Sequence, residues 1–344
     1  MSKSAIATLI REIATAIEAG LPLMTALKTI RQQASGKGAP VILDHLIERV
    51  EAGDPLWKGA AEYGRPFDDM TVGMLRASEA SGEMSKVLHQ LADLMERTLE
   101  LRREVTGALF YPALVFVLIL ISIAVLVTVL VPRLIEPMIA TGNMELPWPT
   151  ALLLDISDFI KISWIWIIVG VALAVTVFRG WVKVPLNRIR FDRAKLQVPL
   201  VGRLLRDVAV ARFTRTLGTL TASGLPILES LKITRDTLGN EALAHAIDEV
   251  QEQVTHGRSL AEPLERSGLF PAMLVQVVNL GERSGKLDEM LVHAATAFDR
   301  QVASSLKLLT KALPPFLIIF MAGLGGFVLA AILLPIMSLQ SLVQ

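Results

Sequence analysis

The stretch AGLPLMTALKTIRQ at residues 19–32 decides the fold, because it returns as SGLPILESLKITRD at residues 223–236. The Gly-Leu-Pro, Leu-Lys and Arg positions recur with the same displacement of 204 residues. In both stretches the glycine can take a positive φ that ends one helix, and the proline suits the first turn of the next helix. The pattern predicts one helical module that is used twice. The corner residues are Gly20 and Pro22 in the first copy and Gly224 and Pro226 in the second copy.

The composition indicates a membrane protein with substantial water-exposed parts. The chain of 344 residues is 52% hydrophobic, yet 19% of its residues are charged, and its mean hydropathy is +0.52. A formal net charge of +1 gives no overall field that would attract nucleic acid. The chain has no cysteine, so disulfides, thiolate metal sites and cysteine nucleophiles are excluded.

Three long uncharged segments predict three transmembrane helices. The first lies between Glu104 and Arg133. The second lies between Lys161 and Arg179, and the third follows Lys311. The first and third easily cross a hydrocarbon core of about 30 Å, and the second is close to the lower length limit. The alternative for the third segment, a buried helix of a soluble domain, is disfavoured because the segment has no polar face.

Small residues recur every four positions in the second and third segments. Small side chains let helix backbones approach closely in lipid, so the spacing favours helix packing. Incidental glycine and alanine in a membrane helix is an equally good interpretation. The residues are Gly170 and Ala174 in the second segment and Ala322, Gly326 and Ala330 in the third segment.

Basic residues beside these segments predict their orientation. Arg102 and Arg103 precede the first segment, and Lys183 and Arg188 follow the second, so these flanks face the cytoplasm. The N-terminus is then cytoplasmic and the C-terminus periplasmic. The predicted order is a first cytoplasmic helical domain at 1–104, a transmembrane helix at 105–132, a periplasmic loop at 133–161, a second transmembrane helix at 162–179, a second cytoplasmic helical domain at 180–310, a third transmembrane helix at 311–337 and a periplasmic tail at 338–344.

Each copy of the repeat is divided by Gly and Pro residues into about six short helices. Ile6, Ile10 and Ile13 share one face of the first helix, which is typical of an amphipathic helix that packs inward. No alternation typical of strands competes with this pattern. The predicted fold class is an all-α membrane protein with two homologous cytoplasmic six-helix bundles and three transmembrane helices.

A glutamate precedes a Ser-Gly turn late in each copy, with a displacement of 203 residues. Such a carboxylate can accept hydrogen bonds from free backbone N–H groups and brace the junction of two helices. A contact surface for a cytoplasmic partner is the alternative interpretation. The residues are Glu79, Ser81 and Gly82 in the first copy and Glu282, Ser284 and Gly285 in the second copy.

The sequence predicts no catalytic residue, no metal site and no cofactor. The five histidines lack the short spacing of zinc enzymes. The glycine-rich stretch at residues 323–326 lies in an apolar segment without a following Lys-Ser or Lys-Thr, so it does not predict a phosphate-binding loop. Any ATP hydrolysis in the system is expected to come from another protein.

Several motifs carry a family resemblance: ASGLP at residues 222–226, Phe270-Pro271, GERSGKL at residues 281–287 and FYP at residues 110–112. With them the chain resembles the GspF/PilC family, the polytopic inner-membrane platform proteins of bacterial type II secretion and type IV pilus assembly. The resemblance implies self-association into a homo-oligomer. It also implies contacts with an assembly ATPase, with pilin or pseudopilin subunits and with other inner-membrane assembly proteins.

The function predicted from the sequence is a non-enzymatic platform that couples the ATPase to polymerisation of pilin or pseudopilin subunits. A membrane transporter or channel subunit is the first alternative, but such a protein ordinarily places ionisable residues at membrane depth. A signalling receptor is the second alternative, and the short predicted periplasmic loop argues against it.

Overall fold

The computed structural model describes residues 2–36, 38–139 and 147–342, and helices are the only regular structure within these ranges. The first copy of the repeat forms α1 (Lys3–Glu18), α2 (Leu23–Gln33), α3 (Ala39–Glu51), α4 (Leu56–Tyr63), α5 (Asp69–Ser81) and the long helix α6 (Met84–Val125). A π-helical segment (Leu126–Leu130) joins α6 to α7 (Val131–Ile139), and α8 (Trp148–Lys183) and α9 (Pro185–Gln197) follow. The second copy forms α10 (Val201–Ala222), α11 (Ile227–Arg235), α12 (Glu241–Thr255), α13 (Ala261–Ser267), α14 (Ala272–Ser284) and the long helix α15 (Leu287–Leu342).

The repeated corner has the same backbone in both copies. Gly20 has a φ of 87° and Gly224 a φ of 84°, the left-handed region in which glycine meets no steric penalty. Pro22 and Pro226 immediately precede α2 and α11, one position earlier than the sequence pattern indicated. Their φ angles of −57° and −55° start the next helix in the direction that the corner requires.

Two ion pairs also recur between the copies. One joins the second and third helices of each copy, and the other joins the first helix to the last. Both keep the displacement of the sequence repeat, so the duplication extends to side-chain contacts. The pairs are Arg31–Asp44 at 2.6 Å and Arg235–Asp248 at 2.7 Å, then Arg11–Glu96 at 2.8 Å and Arg215–Asp299.

Both copies of the repeat belong to one compact unit, formed by Met1–Glu104 and Arg188–Ser305. Its first hydrophobic core is built on inward-facing residues of α1, α2, α3 and α6. Leu220 and Leu225 of the second copy are buried in this same core, although they lie more than a hundred residues away in sequence. The two copies therefore share apolar packing.

The second compact unit consists of Val105–Asn187 and Leu306–Gln344. The hydroxyl of Thr150, at the start of α8, is fully buried and donates a 2.6 Å hydrogen bond to the carbonyl of Ala331 in α15. Apolar side chains around this bond join three parts of the unit. They are Val127, Val131, Ile135, Leu153, Val328 and Ala331.

In the described part of the chain, two helical segments are long and apolar enough to cross a membrane, Met84–Ile135 and Leu287–Pro335. A third candidate is a bent pair, Val169–Lys183 with Pro185–Gln197, whose axes differ by 105°. The bend follows from the sequence, because the residue before a proline is pushed out of the helical region. Val184 accordingly has an extended backbone, with a φ of −71° and a ψ of 122°.

The structure differs from the sequence prediction at two segment boundaries. Much of the segment predicted as a loop at 133–161 is helical where it is described, because Asp155 and Asp158 interrupt the apolar run without breaking α8. Residues 140–146 of that loop lie outside the described ranges. The predicted tail at 338–344 continues as helix to Leu342, and residues 343–344 also lie outside the described ranges.

Candidate functional surfaces

Glu282 in α14 holds the N-terminus of α13. Its Oε1 accepts a hydrogen bond from the Leu260 N–H at 2.5 Å. Its Oε2 accepts one from the Ser259 hydroxyl at 2.5 Å and one from the Ala261 N–H at 3.3 Å. The first N–H groups of a helix have no partner within that helix, and the positive end of the helix dipole favours a carboxylate. Glu282 thus supplies the missing acceptor from a neighbouring helix.

Glu79 in α5 makes the equivalent contact in the first copy. Its Oε1 accepts a hydrogen bond from the N–H of Leu56, the first residue of α4, at 2.5 Å. Burial raises the pKa of the Glu79 carboxyl, and hydrogen bonds from the Leu56 and Trp57 backbone lower it by less. The carboxylate therefore carries a desolvation cost at the helix junction.

The Ser-Gly turns beside these glutamates end their helices. Gly82 and Gly285 lie in the left-handed region, with φ of 71° and 68°, and follow the last residues of α5 and α14. The Ser81 hydroxyl accepts a hydrogen bond from the Glu83 N–H at 3.2 Å, and the Ser284 hydroxyl donates one to the Gly281 carbonyl at 3.3 Å. Each turn places its glutamate against the neighbouring helix of its own copy.

The contact between the two copies is a surface that the sequence did not predict. At Gly73 in α5, an added methyl group would lie only 2.9 Å from the Ile233 Cδ1 atom and 3.5 Å from a Leu225 methyl carbon. The absence of a side chain at Gly73 therefore lets α11 approach α5 closely. Arg76 in α5 forms an ion pair with Glu229 in α11 beside this contact.

A hydrogen bond extends the same contact. The Ser223 hydroxyl, next to the corner glycine of the second copy, donates to the Gln90 Oε1 in α6 at 2.7 Å. The sequence signal for this surface is a difference between the copies: glycine stands at position 73, whereas its counterpart at position 276 is glutamine. A position-by-position comparison of the two copies would have singled out position 73, although not the residue that packs against it.

A cleft of about 370 Å³ opens beside this contact and is lined by both copies. Its side chains carry both signs of charge, with Lys3 and Arg212 near Asp68 and Asp236. Burial, and secondly the nearby Arg102, lower the pKa of the Arg212 guanidinium. The mixed charge does not select one kind of ligand.

The small residues of the membrane segments lie on exposed surfaces of the chain. Gly170 and Ala174 on α8 are exposed, as are Ala322, Gly326 and Ala330 on α15. An added methyl group at Gly170 or Gly326 would meet no atom within 4 Å. Within one chain, α15 uses a different face for packing, the one that carries Val328 and Ala331.

Within residues 2–36, 38–139 and 147–342, no group of three or more His, Asp or Glu side chains is arranged to hold a metal ion. The carboxylates of Glu79 and Glu282, which the sequence singled out, accept hydrogen bonds from backbone N–H groups at helix N-termini. The described surfaces are helix junctions held by hydrogen bonds and surfaces where helices pack on each other.

The fold and these surfaces define a class: an internally duplicated, all-α protein with membrane-spanning helices whose two copies pack on each other. The chain belongs to the family described as "Type II secretion system (T2SS), protein F", whose pattern matches residues 9–132 and again residues 213–335. The two matches correspond to the two copies of the repeat.

Similar proteins are known over nearly the whole chain. The "Type IV pilus assembly protein PilC" of Myxococcus xanthus is 34% identical over 335 residues, which is 97% of this chain and 80% of the relative. The "Type II secretion system protein F" of Pseudomonas aeruginosa is 33% identical over 343 residues, covering 100% of this chain and 84% of the relative. The protein of the same name from Vibrio cholerae is 31% identical over 339 residues, covering 98% and 83%.

Proposed function

We propose that this chain is a non-enzymatic inner-membrane platform protein of a bacterial type II secretion or type IV pilus assembly system. The observation that carries the proposal is the family match in both copies of the repeat, together with relatives from both systems that align over nearly the whole chain. The aligned region includes the apolar helices as well as the helical repeats. The proposed role therefore applies to the full architecture.

In this proposal the platform couples an assembly ATPase to polymerisation of pilin or pseudopilin subunits. The continuity of two helices supports it. α6 and α15 each begin in the repeat unit and run on into an apolar segment that is long enough to span the bilayer. A continuous helix carries a displacement along its length better than a flexible linker does. Movement imposed on the repeats can thus reach the membrane.

Both copies of the repeat are proposed to face the cytoplasm, where ATP is available. The shared packing supports this topology, because segments that form one compact unit must lie on the same side of the membrane. The chain between them then crosses the membrane an even number of times. α6 is proposed to supply one crossing, and α8, which ends before the bend at Pro185, is proposed to supply the other. Arg102, Arg103, Lys183 and Arg188 flank these crossings on the proposed cytoplasmic side.

We propose that Glu79 and Glu282 stabilise the junctions between neighbouring helices of their own copy. Glu79 and Glu282 each accept backbone hydrogen bonds inside their own copy, so their carboxylates would have to leave a helix N-terminus to bind a partner. Breaking a hydrogen bond to a charged group costs about 1.5–3 kcal/mol. Contacts with the ATPase and with pilin or pseudopilin are therefore expected at other exposed side chains.

The test is deletion of the gene in a strain that carries no other gene for a protein of this family. Surface filaments and secreted proteins are then measured. We expect the loss of one of these two products, and its return when the full chain is expressed from a plasmid. An empty plasmid is the matched control. Normal filaments and normal secretion in the deletion strain would exclude the proposed function.

A further inference from the structure

The duplicated module carries two kinds of contact face, and one chain uses only half of them. The socket face is the surface of α5 around Gly73 and Arg76, or the equivalent surface of α14. The corner face is the surface of α11 formed by Leu225, Glu229 and Ile233, or the equivalent surface of α2. Within one chain, the socket face of the first copy receives the corner face of the second copy.

This leaves the corner face of the first copy and the socket face of the second copy outside that internal contact. The exposed fractions of equivalent residues show the difference: Leu225 is 6% exposed, whereas Leu21 is 37% exposed. On the unoccupied socket face, Met273 is 43% exposed and Leu280 is 56% exposed. Exposed apolar side chains grouped on a helix face are typical of an interaction surface. Leu21 is the counterpart of Leu225 in the internal contact, and Met273 and Leu280 flank Gln276, the counterpart of Gly73. These side chains therefore indicate where such a contact could be repeated.

The residues on the unoccupied faces differ from the internal contact in compensating ways. At the centre, the internal contact pairs Gly73 with the larger Ile233. The unoccupied faces place the larger Gln276 on the socket and the smaller Thr29 on the corner. A gain of volume on one side thus accompanies a loss on the other, which is how packed surfaces preserve their fit.

The charged pair is replaced by a neutral pair. Arg76 and Glu229 form the ion pair of the internal contact. Their counterparts on the unoccupied faces are Asn279 and Thr25, both exposed. An amide and a hydroxyl can hydrogen-bond to each other, so these two positions would bury no unpaired charge on association.

We propose that the corner face of the first copy binds the socket face of the second copy in another molecule of the same chain. A second copy of the chain is the favoured occupant because every chain carries both faces, and because their joining repeats a contact that the chain already makes internally. The contact is heterologous, so successive chains associate head to tail and close into a ring when their rotations complete a circle. This inference does not rest on the proposed function.

Cysteine cross-linking tests the proposal cleanly, because the chain contains no cysteine. Thr29→Cys and Gln276→Cys are made in separate, differently tagged full-length chains that are co-expressed in membranes and oxidised. We expect a cross-linked dimer that contains both tags, and none with either variant expressed alone. Gly73→Cys with Ile233→Cys in one chain is the positive control, since these two positions already lie in contact. Absence of the mixed dimer while this control forms, or a dimer of Gln276→Cys with itself, would overturn the proposal.

A charge placed on the socket face provides a second measurement. Leu280→Arg in the Gln276→Cys chain should reduce the yield of mixed dimer at least about tenfold, because association would bury an unpaired charge. Val41→Arg is the matched control, since Val41 and Leu280 are both 56% exposed and Val41 lies on α3, a helix that is part of neither face. Equal yields from the two variants would contradict the assigned surface. Unchanged helical content by circular dichroism shows that both variants fold.

Discussion

Replacing Glu282 by alanine tests the proposed role of Glu79 and Glu282 at the helix junctions. The substitution removes the acceptor of two backbone N–H groups, those of Leu260 and Ala261, and of the Ser259 hydroxyl. α13 has only seven residues, so it depends strongly on support from outside its own backbone. We expect the N-terminal turn of α13 to open far more often in the Glu282→Ala variant.

The size of the effect follows from these contacts. A hydrogen bond to a charged group contributes about 1.5–3 kcal/mol, and the interaction with the helix dipole adds about 0.3–1 kcal/mol. Because bonds to one carboxylate are not additive, the local opening free energy should fall by about 3 kcal/mol. At about 1.4 kcal/mol for each factor of ten, the Leu260 and Ala261 amides should exchange roughly 100-fold faster.

The assay is hydrogen exchange of the full chain in detergent, followed by mass spectrometry of peptides that cover residues 258–268. Glu282→Gln keeps one acceptor oxygen without the charge, so its acceleration should be smaller than that of Glu282→Ala. Glu289→Ala is the matched control, because Glu289 is exposed and pairs with Lys286 on the surface. Unchanged exchange at Leu260 and Ala261 in Glu282→Ala would refute the reasoning.

Three further predictions concern other contacts. Gly73→Ala should lower the free energy of unfolding by up to about 2 kcal/mol through crowding with Ile233, and Ile233→Thr in the same chain should restore most of it; chemical denaturation measures both. Because burial raises the pKa of Glu79 in the folded chain, stability falls as pH rises from the ordinary carboxyl value of 4.5 to that raised pKa. Glu79→Gln should therefore be more thermally stable than the wild type at pH 7 and lose this advantage below pH 4.5. Thr150→Val should destabilise the chain by about 1 kcal/mol in detergent, since it removes the bond to the Ala331 carbonyl; an unchanged unfolding midpoint would contradict this.

The sequence predicted those features whose chemistry is local. A glycine with a positive φ followed by proline specifies a corner wherever it occurs, so Gly20 and Gly224 could be paired without a structure. The all-α class followed from helical periodicity, and the first and third apolar segments followed from hydropathy. The sequence did not predict that Asp155 lies inside α8, because the uncharged run locates the hydrocarbon core and not the end of the helix.

The contact between the copies could not be predicted in this way. Gly73 lies inside a helix, where glycine is unfavourable by roughly 1 kcal/mol relative to alanine. The structure explains this cost, because Ile233 of the other copy packs against Gly73 and leaves little room for a side chain there. Likewise, Glu79 and Glu282 could be singled out from the sequence, but the N–H groups they accept from lie more than twenty residues earlier and are brought near by packing.

The most direct test of the central claim is binding between this chain and an assembly ATPase encoded in the same genome. The full chain is placed in lipid nanodiscs, and binding of the purified ATPase is measured against empty nanodiscs. The account predicts binding only to nanodiscs that contain the chain, and no ATP hydrolysis by the chain alone. Equal binding to both kinds of nanodisc, or ATP hydrolysis by the purified chain, would contradict the account.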